Sequence, residues 1–472
     1  MKEVSKKLLT VLIVLSLITR LIYLGSGLNV IEPDEQDYQE IAGSAVNGWP
    51  LYWQGSPYFE KFPLFIYLSY FLGKTIPSLF VWGPYVNLRL ISVAAFIGLI
   101  WLFFKYLNKK IDATTAFITC LFLLFNPLML FYSRQGTYEL FYLFFGFAFF
   151  YFFDQWEKLL SLKKTIILSG LLALAVLAKH INFLLYILPG FYLIKNLFSQ
   201  DKARPRRFLL IILSSSTLIF LALLPVYLYS EALITQQFLG VPQQFFITHP
   251  RTFLSILAGN IKLAPFWLSW SLAIGGFIGI IVSLRNFKKY QNVLIVFFAG
   301  FIYINSYYIT PRSFIFIVPY LLLSLAIPIQ KLKVSIPGRI TLILLLIVTI
   351  AQSGSAFLST LHQGVEKSLA RAISLHQQYQ LPIYSTFEEK KLSSIAKVPI
   401  NLLNQSATNS GIIITDERKT DLMLALTEPA YQSAKKNYDW IKSHAAPVWE
   451  YIDPWPHFPG SIKSNVFRIY IF

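Results

Sequence analysis

Long apolar runs recur along this chain, and they limit what it can fold into. Crossing the hydrocarbon layer of a bilayer, roughly 30 Å thick, takes about 20 apolar residues. Hydrophobic residues make up 55% of the 472 residues and aromatic residues 17%, a composition unlike that of a soluble domain. The sequence therefore predicts a polytopic α-helical membrane protein.

Eleven runs are predicted to span the membrane. They cover residues 8–24, 88–107, 113–131, 137–153, 164–179, 181–198, 207–229, 266–284, 293–309, 312–329 and 339–357. A further apolar stretch, residues 64–80, is interrupted by Gly73, Lys74 and Pro77. Counting it as a span would invert every later loop, so we predict that it lies in the outer interface. One long outer loop then extends over residues 25–87.

The net charge of +18 is explained by membrane topology. If the N-terminus is inside, 20 Lys and Arg residues fall in the inside segments and 8 in the outside segments up to residue 357. This bias follows the positive-inside rule, so we expect no nucleic-acid partner. The predicted location is a plasma (inner) membrane, with the N-terminus cytoplasmic. The first span has a charged head and no small-residue cleavage pattern, which favours an uncleaved signal anchor.

Residues 358–472 differ in character, and we predict a separate extracytoplasmic α/β domain there. The predicted elements are strands at 382–386, 411–415 and 467–472 and helices at 362–379 and 430–444. The strand runs are almost continuously apolar, which is typical of strands covered on both faces. DPWP at 453–456 is predicted to form a rigid turn, although it would also suit a carbohydrate. The chain thus divides into a transmembrane domain, 1–357, and this outer domain.

Common catalytic and metal-binding motifs are missing from the sequence. Cys120 is the only cysteine, so no disulfide within the chain and no zinc cluster can form. There is no Gly-rich phosphate loop, no serine-nucleophile elbow and no paired-His motif. We therefore expect no cofactor, although the sequence leaves a divalent metal open. No internal repeat is found, which weighs against a transporter built from duplicated halves.

The first outer loop carries a dense group of acidic and aromatic residues between 32 and 63. Acidic groups held against a bilayer are costly, so they usually serve a function. A helix is predicted from Asp34 to about Val46, closed by Asn47 and Gly48. Asp34 then lies at the helix N-terminus, where backbone N–H groups favour a carboxylate. It is a candidate general base for a hydroxyl, although a simple helix cap would place the same residue there.

A second acidic residue, Glu139, lies at another predicted outer boundary, five residues after Arg134. Two acidic sites at outer boundaries suggest that they converge on one cavity. The cations predicted at head-group depth on this side are Lys61, Lys179 with the adjacent His180, and Arg312. Any one of them is explained by snorkelling towards lipid head-groups or by a structural ion pair. Together they favour a phosphate site beside the carboxylates.

These segments resemble the polyprenyl-phosphate-dependent membrane glycosyltransferases of the C-type fold, which include protein O-mannosyltransferases and the lipid A aminoarabinose transferase. The resemblance is carried by DEQDYQEIAGSAVNGWPLY (34–52), YFEKFPL (58–64), NPLMLFYSRQGTYEL (126–140) and LAKH (177–180). This sequence departs from the family pattern at Phe62, which separates Lys61 from Pro63, and at Glu139, where an aspartate is common. The resemblance covers about residues 8 to 330.

The resemblance implies a C-type glycosyltransferase fold, here with about 11 transmembrane helices, and an inverting transfer of a sugar on the outer face. The donor is a polyprenyl-phosphate sugar, and the acceptor is a hydroxyl of a lipid, glycan or protein. Asp34 would be the general base, with Glu35 beside it, and Glu139 would orient a sugar. Phosphate would be held by Lys61 with Arg312 or Lys179. The other candidate binding residues are Tyr38, Tyr58, Arg134 and His180.

Two other classes stay open from the sequence. A polymerase or ligase of surface glycans would share the lipid-phosphate donor but need a larger acceptor groove. A lipid or solute transporter would have broken spans with charges near the midplane. Most charges in this sequence lie at the ends of predicted spans, which favours the enzyme.

Overall fold

The structure is a computed structural model, and it divides into two compact units. It describes residues 2–22, 24, 34–48, 51–53, 56–57, 64–77, 85–198, 203–229, 253–307, 311–358, 364–386, 392, 398–403, 410–416, 429–456 and 464–472. The first unit contains residues 1–24 and 37–354, and the second contains residues 25–36 and 355–472. The first unit is helical, and the second is built around a sheet.

Helices make up nearly all of the described part of the first unit, although residues 34–36 at the start of one and 355–358 at the end of another fall in the second unit. They are α1 (Lys2–Leu21), α2 (Asp34–Ser44), α3 (Leu64–Thr75), α4 (Val86–Lys110), α5 (Ala113–Leu124), α6 (Pro127–Tyr132), α7 (Tyr138–Trp156), α8 (Leu162–Ala178), α9 (Ile187–Asn196), α10 (Ala203–Tyr229), α11 (Phe253–Leu268), α12 (Trp270–Arg285), α13 (Phe287–Tyr307), α14 (Pro311–Phe314), α15 (Val318–Leu332) and α16 (Ile336–Leu358). Short 3₁₀ segments cover Ala45–Asn47, His180–Tyr186 and Ile315–Ile317. Two short strands, β1 (Tyr52–Trp53) and β2 (Ser56–Pro57), pair as a hairpin.

Each predicted span coincides with one or more of these helices, but the count of eleven is not confirmed. Within the described ranges, four helices are long and apolar enough to cross a membrane, or five if α11 and α12 form one bent span. Some predicted spans are broken, and residues 113–131 are divided between α5 and α6. The break lies at Asn126, whose Oδ1 accepts from Met129 N at 3.1 Å, with Pro127 at the first position of α6. An Asn cap followed by proline starts a new helix, even inside an apolar run.

A bend of 117° separates α11 from α12, and it lies four residues after Pro265 of α11. Ser269 at the bend has a φ of 77°, a region that residues with side chains rarely adopt. Its hydroxyl accepts from Leu272 N at 3.3 Å, and Asn126 Nδ2 donates to Leu268 O at 2.8 Å. These bonds satisfy backbone groups that the break would otherwise leave unpaired. Ser269 itself is neither glycine nor proline, but Pro265, one turn earlier, is a usual signal of a helix break.

Close packing of α12 on α15 depends on glycine. A Cβ at Gly279 would lie 2.5 Å from the carbonyl carbon and oxygen of Ser324, and one at Gly276 would lie 2.4 Å from Cγ of Leu321. Small residues let two helix backbones approach in this way inside a membrane, where packing drives association.

The second unit contains a five-stranded mixed sheet in the order β4-β3-β5-β7-β6. Its elements are α17 (Gly364–Tyr379), β3 (Ile383–Ser385), β4 (Ile400–Leu402), β5 (Ile412–Asp416), α18 (Pro429–His444), β6 (Trp449–Pro456) and β7 (Ser464–Ile471). β3 pairs in parallel with β4 and β5, whereas β7 pairs antiparallel with β5 and β6. Tyr438 and Ile441 of α18 pack in a buried cluster with Ile413 and Tyr470 of the sheet. The prediction of a sheet-containing C-terminal domain is confirmed.

Two predictions about this sheet are corrected. β4 and β6 were not predicted, and residues 453–456 belong to β6 rather than to a rigid turn. β6 is an edge strand, with a register shift between Ile452 and Pro456. Proline lacks the N–H that a ladder needs and is tolerated at a sheet edge, so DPWP signals an irregular edge strand here.

Candidate active site

Aromatic side chains attach α2, the acidic helix, to the start of α7. The Tyr38 ring lies edge-on to Tyr138, with centroids 5.0 Å apart, and to Phe65 of α3, with centroids 6.1 Å apart. As predicted, the helix begins at Asp34 and is closed by Gly48, whose φ of 83° suits glycine. The acidic helix and the first turn of α7 are therefore neighbours in the structure.

Glu139, in that first turn of α7, contacts cations from two other segments. Its Oε1 lies 3.0 Å from Nζ of Lys179, which directly follows α8. The same oxygen lies 3.9 Å from Nε of Arg312 in α14. Three candidates that are far apart in the sequence therefore meet in one cluster, although their chemical roles stay predictions.

Tyr142 and Asn182 support this cluster and were missed from the sequence. Lys179 Nζ lies 4.9 Å from the centroid of the Tyr142 ring, and the Tyr142 hydroxyl donates to Arg312 O at 3.5 Å. Asn182 Nδ2 donates to the backbone oxygens of Tyr142 at 3.1 Å and Ala175 at 2.7 Å. Tyr142 lies three residues after Glu139, a spacing that puts both on one helix face. That spacing was the available signal, but it is hidden in a run of aromatic residues.

Arg134, predicted to bind phosphate, is bonded to the end of α1. Its Nη1 donates to the backbone oxygens of Thr19 at 3.2 Å and Arg20 at 3.0 Å. Arg20 in turn donates from Nε to Ser133 Oγ at 3.0 Å. Burial lowers the pKa of Arg134, and the nearby positive charge of Arg89 lowers it further. These bonds satisfy carbonyl groups at a helix C-terminus, which is a structural role. Phosphate binding by Arg134 stays a prediction.

The remaining candidates are placed only in part. Asp34 is the first residue of α2, but its side chain lies outside the described residues, as do Tyr58 and Lys61. Glu35 is buried, and His180 is exposed at the start of its 3₁₀ segment. Roles for these five residues stay predictions.

The cluster has the chemistry of an anion site with a carboxylate beneath it. Lysine and arginine N–H groups make strong, charge-assisted hydrogen bonds to phosphate oxygens. Within the described ranges, no group of three or more His, Cys, Asp or Glu side chains converges in a way that would hold a metal ion.

No protein-family model and no curated protein matches the chain. Solved structures do resemble it. ArnT from Cupriavidus metallidurans bound to undecaprenyl phosphate has a TM-score of 0.61 and 13% identity, covering 97% of each chain. The Archaeoglobus fulgidus oligosaccharyltransferase in complex with zinc and sulfate has a TM-score of 0.60 and 14% identity, covering 91% of this chain and 70% of that chain. The Archaeoglobus fulgidus AglB complex with an inhibitory peptide and a dolichol-phosphate has a TM-score of 0.57 and 12% identity, covering 88% and 69%.

At these identities the similarity shows the fold. The predicted C-type glycosyltransferase fold is confirmed, and its match to ArnT extends over nearly the whole chain. The long apolar helices of this fold make the chain an integral membrane protein.

Proposed function

We propose that this chain is a glycosyltransferase that moves a sugar from a polyprenyl-phosphate donor to an acceptor hydroxyl on the outer face of the membrane. The carrying observation is the match, over 97% of both chains, to a protein crystallised with undecaprenyl phosphate. The meeting of Glu139 with Lys179 and Arg312 supports it, because a lipid phosphate needs cations of this kind.

In the proposed reaction, Asp34 accepts the proton of the acceptor hydroxyl. The hydroxyl oxygen forms a bond to the anomeric carbon as the bond from that carbon to the phosphate oxygen breaks. Polyprenyl phosphate leaves with the bonding electron pair, and the anomeric configuration inverts. Lys61, with Lys179 and Arg312, holds the phosphate and stabilises its developing charge. A positioned general base contributes about 10²–10⁴-fold in rate.

The broken helix at Ser269 bears on the alternative of a transporter. Transporters bind substrates and ions at such breaks, near the middle of the membrane, through half-helix ends that are commonly accompanied by ionisable side chains. Here Asn126 donates to Leu268 O at 2.8 Å, Gln352 Oε1 accepts from Trp270 N at 2.9 Å, and Thr349 Oγ1 lies 3.4 Å from Ser269 Oγ. All are neutral groups, which supports a structural bend and favours the enzyme.

The test is an assay of the purified protein with a panel of undecaprenyl-phosphate-linked sugars, measuring released undecaprenyl phosphate. Asp34→Asn keeps the size of the side chain but cannot take the proton, so turnover should fall by about 10²-fold or more. Donor binding and folded yield should be preserved. Glu35→Gln is the matched control, since it removes a neighbouring carboxylate, and its effect should be milder.

Two results would count against this proposal at different levels. Normal turnover in Asp34→Asn together with inactive Glu35→Gln would mean that Asp34 is not the general base, while the glycosyltransferase proposal would stand. Normal turnover in both, and also in Glu139→Gln, would remove the glycosyltransferase proposal itself.

A further inference from the structure

The buried side chain of Asn126 connects two helix breaks of the first unit. Its Oδ1 accepts from Met129 N at 3.1 Å and caps α6, and its Nδ2 donates to Leu268 O at 2.8 Å, at the end of α11. A backbone N–H can only donate and a carbonyl can only accept, so these two partners fix the orientation of the amide. Asn126 therefore makes one bond within its own segment and one to a segment that is 142 residues away in the sequence.

The segment that Asn126 caps leads to Glu139, in the first turn of α7. Between α6 and α7, Ser133 Oγ accepts from Arg20 Nε at 3.0 Å. Arg134 donates to the backbone oxygens of Thr19 at 3.2 Å and Arg20 at 3.0 Å. These bonds hold the segment of Glu139 against the end of α1, without the help of α11.

The segment on the other side of the Asn126 bond contacts the helix of Arg312. Leu268 follows Trp267, whose ring packs edge-on against Phe314 with centroids 5.1 Å apart. Phe314 is the last residue of α14, two residues after Arg312. Both rings are buried, and close-packed interiors transmit displacements. A shift at the end of α11 therefore reaches Arg312.

The contact between Glu139 and Arg312 closes a ring of contacts that begins at Asn126. Glu139 Oε1 and Arg312 Nε lie 3.9 Å apart, beyond the usual hydrogen-bond range of about 2.7–3.2 Å. The position of one side chain relative to the other thus depends on the segments that carry them, and Asn126 joins those segments.

We propose that Asn126 is a positioning residue, which fixes Arg312 relative to Glu139 by joining the break before α6 to the bend after α11. The inference rests on the proposed function, in which Arg312 helps to hold the phosphate of the donor. A misplacement of about 1 Å that arises far from the reacting atoms can cost about 10²-fold in rate. Asn126 acts through the backbone of Leu268 and does not touch the substrate.

The test begins with Asn126→Ser, which separates the two bonds of the amide. Serine caps a helix as well as asparagine does, but its one short hydroxyl cannot replace both bonds. We expect kcat/KM to fall about tenfold for the undecaprenyl-phosphate-linked sugar that the wild-type protein uses.

Ser271→Ala is the matched control. Ser271 lies just after the same bend, and its Oγ donates to Leu345 O at 2.7 Å, so this variant also loses one hydrogen bond of a buried side chain. It should lower thermal stability in detergent about as much as Asn126→Ser does, and it should change kcat/KM by less than about twofold.

A double-mutant cycle separates positioning from general destabilisation. If Asn126 acts through Arg312, Asn126→Ser should lower kcat/KM by less than about twofold in an Arg312→Gln background. Phe314→Leu gives a second measurement, which does not depend on the folding of Asn126→Ser. It weakens the ring contact between α11 and α14, so its loss of kcat/KM should also shrink in the Arg312→Gln background.

The outcomes separate this inference from the proposed function. Equal losses of kcat/KM in Asn126→Ser and Ser271→Ala overturn the positioning role of Asn126. Losses in Asn126→Ser or Phe314→Leu that are the same with and without Arg312 overturn it too, while the turnover of the wild-type protein leaves the proposed function in place. Wild-type protein that releases undecaprenyl phosphate from none of the linked sugars overturns both proposals.

Discussion

Tyr142 links the two cations of the candidate site through a single buried ring. Its ring lies under the Lys179 ammonium at 4.9 Å, and its hydroxyl reaches the backbone of Arg312 at 3.5 Å. An ammonium over an aromatic face is stabilised by about 0.5–2 kcal/mol, more when it is shielded from water. The ring therefore restricts where the Lys179 charge can lie.

We expect Tyr142→Leu to weaken binding of undecaprenyl phosphate by about fivefold, because about 1 kcal/mol of cation–π stabilisation is lost. Tyr142→Phe keeps the ring and should change binding by less than about twofold. Tyr106→Leu is the matched control, since Lys110 lies 5.6 Å from the Tyr106 ring near the C-terminal end of α4, a different helix. Equal losses in Tyr142→Leu and Tyr106→Leu would mean that general destabilisation, not the position of Lys179, is responsible.

At the residue level, the sequence predicts the charged residues of the candidate site better than the neutral residues that hold them in position. Glu139, Lys179 and Arg312 could be grouped because each is a charge at a predicted outer boundary, where charges are few. Tyr142 and Asn182 could not, because an uncharged residue in an apolar run looks like packing. Their importance comes from contacts between α7, α8 and α14 that only the fold creates.

Among the elements, the start of α5 and the end of α15 are connected by Asp112, which caps α5 and forms an ion pair just after α15. Asp112 Oδ1 accepts from Thr115 N at 2.8 Å and caps α5. Its Oδ2 lies 2.6 Å from Nζ of Lys333, just after α15. Burial raises the pKa of Asp112, but the hydrogen bonds from Lys333 and Thr115 outweigh it, so the net pKa is lowered.

The two tasks can be separated by substitution. Asparagine caps a helix as well as aspartate does, so Asp112→Asn should lose only the ion pair, about 1 kcal/mol or less. Asp112→Ala should lose the cap as well, about 1 kcal/mol more. Thermal unfolding in detergent measures both changes. Glu3→Gln removes the fully solvated ion pair with Lys7 and should have no measurable effect.

The same pair predicts a pH dependence. Because the folded pKa of Asp112 lies below its unfolded value of about 3.9, the ion pair stabilises the protein above that pH. The stabilisation is lost as pH falls through the folded pKa. The difference in thermal stability between wild type and Asp112→Asn should therefore begin to shrink near about pH 3.9 and disappear only once the pH is below the folded pKa. A difference that persists there would mean that the charge of Asp112 contributes nothing.

Apolar runs were sufficient to locate the helices of the first unit but not their breaks. A run of apolar residues predicts burial in lipid, whichever way the helix turns inside it. The break at Asn126 is marked by a local Asn-Pro pair that the apolar run obscures. The bend at Ser269 is held by hydrogen bonds that involve Asn126 and Thr349, which are distant in the sequence. In the second unit, β4 was missed because a strand of three residues is too short for an alternating pattern.

For the whole molecule, the prediction that connects sequence and function is which side of the membrane each loop and domain faces. The cations of the proposed site and residues 358–472 are expected on one side, and the basic loops on the other. Single cysteines at Val46, Leu159 and Ser443, all exposed, test this. In intact cells, a membrane-impermeant maleimide should label Val46→Cys and Ser443→Cys, and should label Leu159→Cys only after lysis. Native Cys120 is buried and should give no background.

Labelling of Val46→Cys and Ser443→Cys from opposite sides would contradict the predicted topology. Labelling of Leu159→Cys in intact cells would contradict the cytoplasmic placement of the basic loops.

The sharp bend at Ser269 affects whether the chain crosses the membrane an even or an odd number of times. α11 has 16 residues and is about 24 Å long, at a rise of about 1.5 Å per residue. At 117° to α12 it retraces only about 11 Å along the α12 axis, far short of a hydrocarbon layer of roughly 30 Å. If α12 runs along the membrane normal, α11 adds apolar length without adding a crossing. On that premise α11 would not complete a crossing, and the even or odd number of later crossings would be set without it.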